Sequence, residues 1–556
     1  MHERERWKSV VATAAVTAVA VAYFLLTWNR TLSTYDGGYL LHNFDKFARG
    51  QLPHRDFYDI YGAITYVVGG GLFRLFGTEI LVIRAFVVLL KALMAALIFR
   101  IGCRLVPRGF AFLGSILFIL YWGDALDLVF NAPYGGHCAH FLALLGILSM
   151  IRYVETGKKR WIAGAGFCSG LILLFKVLTG AFVLIGFGLF LSFKEQFSAR
   201  GQEHGDELVR RDGRRAFISS LVKFAVIIGT AIVFVLYFAR FGLDLAYFVI
   251  FLLPLVLFLV MMLAGEMSVV RQGRMEGAHS TRPGFRDFIG ETLLLGIGPV
   301  SLWLLQVLFY YGVGGLEEML YDTFVLPFAI DYYWPLAEHG LHMILIVAVA
   351  GVLSVAILAG RFVNTEGRAG RAILFLVVLA VLLAPLALVI VTGTPILTWR
   401  ARAIHVFSTS VLLAVFPALV RLDAACRKPL RVVSAQQRED EVPGRSSMSQ
   451  SSASQNVGDS VPRKDSTDEI RRTLVLSLCY VFGCLFLIMA FPRSDEPHLM
   501  LNSTVIFVVA ACVLHMLSES GNRVFGEQSR IPGGMWVAAA MSLIVFPLLG
   551  ACGFFM

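Results

Sequence analysis

Hydrophobic positions along this chain fall in long unbroken runs rather than in alternating or sparse patterns. An α-helix rises about 1.5 Å per residue, so about 20 mostly apolar residues cross the hydrocarbon core of a bilayer. Such runs lie near residues 9–28, 80–99, 109–123, 137–151, 161–175, 177–193, 218–239, 243–265, 290–311, 341–360, 372–393, 403–420, 473–491, 502–518 and 533–553. The pattern predicts an all-α polytopic membrane protein with about 13–16 transmembrane helices. The runs at 109–123 and 161–175 are short for spans. Residues 61–77, YGAITYVVGGGLFRLFG, are apolar but shorter than a span, with three consecutive glycines and an internal Arg74. They read as an interfacial or re-entrant element.

The polar breaks between runs set the orientation. With the N-terminus inside, 35 of the 48 Lys and Arg fall in inner segments and 10 in outer ones. Arg84, Lys91 and Lys223 fall within spans. That bias supports a cytoplasmic N-terminus. The first run lacks a small-residue cleavage site and another span follows it, so it reads as a span rather than a cleaved signal. One stretch, 421–472, is Ser-, Gln- and charge-rich and cannot form an apolar face, so it is expected to be a disordered cytoplasmic linker. It divides a membrane core at 1–420 from a three-span block at 473–556 that completes it.

Composition narrows the class. The 556 residues are 57% hydrophobic and 15% charged. Soluble domains carry roughly 25% charged residues, so a soluble globular, disordered or coiled-coil protein is excluded. The net charge of +10 raises the question of nucleic acid. Here the basic residues sit in short loops between apolar runs, so the partner they imply is a bilayer and no nucleic acid is expected. The eight cysteines show no metal or redox spacing.

Candidate chemistry gathers in the first outer loop, residues 29–62. Asp36 follows the first span closely, and Gly37 and Gly38 would let the backbone turn there. Leu40, Leu41, Phe44 and Phe47 recur at helical spacing and predict a short interfacial helix, which Gly50 ends and Pro53 follows. Asp56 and Asp59, interleaved with Arg55, Tyr58 and Tyr61, would face one cavity if they shared a helical turn. The plain alternative for the three carboxylates is a solvated loop with ordinary capping roles. Lys176 falls at the outer end of its run, where it either meets an anion or snorkels to headgroups. Arg493, Asp495 and His498 share a tight outer loop, which is either a phosphate grip or a solvated hairpin. Arg400 is a phosphate ligand by charge and side alone. The 314–340 loop is acidic and aromatic, which suits a sugar surface, a cation or a simple aromatic belt.

The runs TYDGGY at 34–39, GQLPHRDFYDIYGA at 50–63 and LFG at 75–77 resemble the membrane-embedded glycosyltransferases of the GT-C superfamily. The similarity is to bacterial relatives of protein mannosyltransferases and lipid A aminoarabinose transferases. Ala63 departs from the Pro common there. LLFKVLTG at 173–180 and AFPRSDEPHL at 490–499 are similar to segments of the same families. The resemblance implies that Asp36 is the catalytic carboxylate. It implies that Asp56, Tyr58, Asp59, Tyr61, Asp495 and His498 line the substrate cavity.

On that footing the expected reaction is inverting transfer of a sugar from a polyprenyl-phosphate donor to a lipid-linked glycan or other cell-envelope acceptor. It would take place on the outer, periplasmic face of a bacterial inner membrane. Lys176 and Arg493, with Arg55 and Arg400 behind them, would stabilise the departing phosphate. No cofactor is assigned, and a divalent cation is compatible with the scheme although no His-rich cluster fixes one. The rivals are a lipid-linked sugar flippase or transporter and a polysaccharide polymerase or ligase.

Overall fold

The computed structural model describes residues 2–28, 36–58, 61–122, 135–198, 213–240, 248–275, 285–326, 464–489 and 502–525, with parts of 408–422. Among them there is no β-strand, only an isolated bridge between Pro53 and Phe57. The helices are α1 (His2–Thr27), α2 (Asp36–Ala48), α3 (Ile64–Phe76), α4 (Ile80–Gly102), α5 (Arg108–Trp122), α6 (Gly135–Thr156) and α7 (Arg160–Phe175). They continue with α8 (Val177–Ser198), α9 (Gly213–Ala239), α10 (Leu253–Met275), α11 (Phe285–Val313), α12 (Leu316–Leu320), α13 (Lys464–Met489) and α14 (Ile506–Phe525). π-Helical turns precede α10 at Phe248–Leu252 and follow α12 at Tyr321–Val325.

Seven of the described helices are long and apolar enough to cross a membrane. The chain is thus an all-α, multi-pass membrane protein. The predicted runs at 341–360, 372–393 and 533–553 lie outside the described residues, as does most of 403–420. So does most of the 421–472 linker, although α13 starts at Lys464, before the apolar run begins.

α7 is short, with 16 residues or about 24 Å of rise, and 15 residues of α5 are described. The Lys91 ammonium reaches the carbonyl of Trp122 in α5, at 3.4 Å. Lys91 also lies over the Phe24 ring, so a buried lysine ties α1, α4 and α5 together.

The helices approach closely where side chains are small. α7 and α11 meet at Gly166, Gly170 and Gly298: a Cβ on Gly166 would overlap the Leu295 carbonyl oxygen, and one on Gly170 would lie 2.9 Å from Gly298. Such spacing lets backbones touch, the usual basis of helix association in lipid. α13 packs on α8 and α14 on α5, so both C-terminal helices belong to the same core.

Opposite ends of the bundle differ. At one, the basic end, Arg104 and Arg152 both pair with Glu155, and Lys194 pairs with Glu291 at 3.2 Å while Tyr153 hydrogen-bonds the same carboxylate. At the other, the loop end, the chain between α1 and α4 folds over the bundle.

Candidate functional site

The loop end is built on α2 and α3. Leu40 and Phe44 are fully buried against Tyr66, Phe73 and Ile83. The glycines of 69–71 explain how two short helices lie so close. A Cβ on Gly69 would sit 2.5 Å from the Phe44 ring, and one on Gly70 2.5 Å from Phe47, whereas Gly71 faces open space. Arg74 donates to the carbonyls of Ala48 and Phe47 at 2.8 and 3.1 Å, so α3 caps the end of α2. The interfacial helix read from Leu40, Leu41, Phe44 and Phe47 is therefore present. It begins at Asp36, earlier than the spacing suggested, so Gly37 and Gly38 form its first turn instead of a tight bend.

Asp36 is the first residue of α2. Residues 53–57 form a tight turn that is not helical at Asp56. The His54 amide donates to the Phe57 carbonyl at 2.8 Å, and the Asp56 amide to the Leu52 carbonyl at 2.8 Å. Pro53 and the left-handed backbone of His54, φ 64°, are incompatible with a continuing helix. Asp56 accepts a two-pronged contact from Arg55, Nε and Nη2 each at 2.8 Å, and a bond from the Leu52 amide at 2.7 Å. The Arg55 guanidinium, then the Leu52 N–H, hold the Asp56 carboxyl below its ordinary range, and Asp56 raises the Arg55 pKa in return. Arg55 is thus neutralised by its neighbour rather than left for a phosphate alone. The Tyr58 carbonyl accepts a bond from Tyr39 at 2.8 Å, and Tyr61 packs on the α2–α3 core.

The loop and Lys176 meet. The Gly62 amide donates to the Phe175 carbonyl at 3.1 Å, next to Lys176 at the break between α7 and α8. A Cβ on Gly62 would overlap the Leu174 carbonyl oxygen, so only glycine fits. A Cβ on Gly135 of α6 would contact Thr65 and the Phe175 carbonyl, which puts α3, α6 and the break in one place. Lys176 has an extended backbone, φ −156° and ψ 101°, and α8 starts with the next residue. Its first-turn N–H groups lie beyond the reach of intrahelical acceptors, and such a terminus favours anions. Thr179 stands in that first turn, buried, with its hydroxyl lacking a partner among the described residues. His140 of α6 lies within electrostatic reach of Lys176 and hydrogen-bonds Asn502.

Three residues that the sequence did not single out complete the loop end. His54 Nδ1 lies 2.9 Å from Asp322 Oδ2, with both groups buried. The Tyr310 hydroxyl donates to the Pro53 carbonyl at 3.0 Å, and its ring meets the His54 ring edge to face. A Cβ on Gly315 would lie 3.0 Å from Arg55 Cβ. His54 sits within the quoted motif, but nothing in the motif ties it to a carboxylate 268 residues away. Asp322 stood among several acids of the 314–340 loop, without a distinguishing signal.

Asp59, Arg400, Arg493, Asp495 and His498 lie outside the described residues. Among the described residues no group of three His, Cys, Asp or Glu side chains could hold a metal ion. No protein-family model, curated protein or solved structure matches the chain.

Proposed function

We propose that the chain is an inverting glycosyltransferase of the GT-C kind that takes its sugar from a polyprenyl-phosphate carrier. The acceptor would be a lipid-linked glycan or other envelope glycolipid on the outer face of a bacterial inner membrane. The observation that carries this reading is the Gly62–Phe175 contact, which sets the first loop against Lys176 and the start of α8. A lipid-borne donor needs such a place: a cation and a helix N-terminus at the membrane edge for its phosphate, beside a loop with acidic groups for the acceptor.

In this scheme Asp36 takes the proton from the acceptor hydroxyl or amine as that atom bonds to the anomeric carbon. The bond from that carbon to the phosphate oxygen breaks, and the phosphate leaves with the electron pair. One displacement with one base inverts the anomeric centre. Lys176, helped by the α8 N-terminus and the Thr179 hydroxyl, stabilises the leaving phosphate. Asp56 serves to hold Arg55, and Tyr58 and Tyr61 line the approach.

The test is transfer in membranes supplied with a panel of polyprenyl-phosphate sugars, comparing wild type with Asp36→Asn at matched expression. A general base contributes about 10²–10⁴-fold, so the variant should lose at least about that much. Equal transfer by both removes Asp36 from the role. A second reading, a lipid-linked sugar flippase, is favoured by one observation. Lys223 of α9 and Glu266 of α10 pair at 3.3 Å, buried within apolar helices, where ionisable groups usually serve a pathway. Movement of the intact lipid-linked sugar across the bilayer, without transfer, would select that reading.

A further inference from the structure

The turn at residues 50–57 is fixed to the end of α11 and the π-turn by three successive residues. Pro53 is held through its carbonyl by Tyr310, His54 through its imidazole by Asp322, and Arg55 packs through its Cβ on Gly315. Both partners of the central contact have unusual backbones. His54 is the one non-glycine residue with positive φ among those described, and Asp322 sits in a π-helical turn. Such conformations persist where the surroundings over-determine them, and they concentrate at functional and switching sites.

We propose that His54 and Asp322 form an acid-released latch that holds the 50–57 turn on the end of α11 and the π-turn. In the docked state Nδ1 donates to the Asp322 carboxylate, and Nε2 is enclosed with no partner among the described residues. A neutral imidazole tolerates this, because its bare Nε2 is only an acceptor left unsatisfied. An imidazolium does not, because it places a charged N–H donor in the same enclosed position. Asp322 offsets part of that cost, but burial outweighs it and lowers the His54 pKa below 6.5. Among the described residues, Tyr310 of α11 lies within electrostatic reach of Asp322, and Arg55 and Asp56 of the turn lie within reach of Tyr310. Arg55 keeps its charge across the range, and Asp56 is held ionised by Arg55 well into acid, so neither titrates where His54 does.

The sign follows from linkage. A base whose pKa is lower when docked binds its proton more readily when released, so docking weakens as pH falls below the released value of 6.5. The ratio of released to docked turn rises by up to about tenfold for each unit by which the two pKa values differ. An outward-facing loop of this kind would open in acidic surroundings and close in neutral ones.

Hydrogen–deuterium exchange of the full chain in nanodiscs tests this between pH 7.5 and 5.0, with rates corrected for the intrinsic effect of pH. In the wild type, peptides covering 50–58 should lose protection as pH falls, while peptides of α4 stay unchanged. His54→Asn keeps a donor for Asp322, accepts a left-handed backbone and does not titrate, so its turn should stay protected at pH 5.0. Asp322→Ala removes the acceptor and should expose the turn already at pH 7.5, and it serves as the second arm if His54→Asn fails to fold. Protection of the wild-type turn down to pH 5.0 would overturn the latch. So would an unchanged pH response in His54→Asn, or a turn that stays protected at pH 7.5 in Asp322→Ala.

Discussion

Asp56 and His54 stand two residues apart and respond to acid at different points. Arg55 first and the Leu52 amide second favour the ionised Asp56 carboxylate, so the contribution of this fork is present above the ordinary carboxylate value of 3.8 and is lost as pH falls through the lower folded value. We expect the Asp56 carboxyl carbon to titrate below 3.8 by NMR in the wild type, and nearer that value in Arg55→Gln. Glycines give a second residue-scale contrast. Gly71→Ala should be neutral or stabilise by up to about 1 kcal/mol, because the helix gains propensity and the space is open. Gly62→Ala should cost about 1–3 kcal/mol, because the Leu174 carbonyl must move, and thermal unfolding of the two variants in detergent checks the difference. Legibility at this scale was uneven. The short helix of the first loop could be read from Leu40, Leu41, Phe44 and Phe47, since apolar residues at helical spacing mark the face it buries. The pairing of Arg55 with Asp56 in a turn could not, because helical spacing does not reveal the left-handed backbone of His54.

At the scale of elements, the lengths of apolar runs were the dependable signal. The structure has helices at most predicted runs within the described residues, including the short ones that became α5 and α7. The 61–77 segment is too short to span, and Gly69 and Gly70 of its glycine triplet are the seats for Phe44 and Phe47. What length cannot show is which charges meet. Lys223 was visible as a lysine in a span, but Glu266 was not marked as its partner. Removing either side alone should destabilise the protein by about 3–5 kcal/mol, since it takes the ion partner from a buried charge. Replacing both with apolar residues of similar volume should restore most of that loss, and a double-mutant cycle of denaturant unfolding measures it. If the pair instead serves transport, the double variant will be stable and inactive.

For the whole molecule, the run count, the basic bias and the composition all pointed to a multi-pass membrane protein, and seven apolar helices bear out that class. The orientation is testable by labelling single cysteines, in a background without native ones, with a membrane-impermeant maleimide. Gln51→Cys, on the exposed turn at the loop end, should label from outside intact cells. Lys158→Cys, exposed at the basic end between α6 and α7, should label only after lysis. The opposite result would invert the topology and move the proposed site to the cytoplasm.

The brevity of α7 has a consequence for the lipid itself. A helix rising about 24 Å falls short of a hydrocarbon slab about 30 Å thick. Hydrophobic mismatch of that size can be met by drawing the leaflets together around the short segment. A bilayer thinned there would lower a headgroup toward the break that carries Lys176, and on the proposed function it would shorten the distance a lipid-linked donor must climb. It would also give the protein a preference for thin membranes, so that the thickness of the surrounding bilayer becomes a determinant of how well it works.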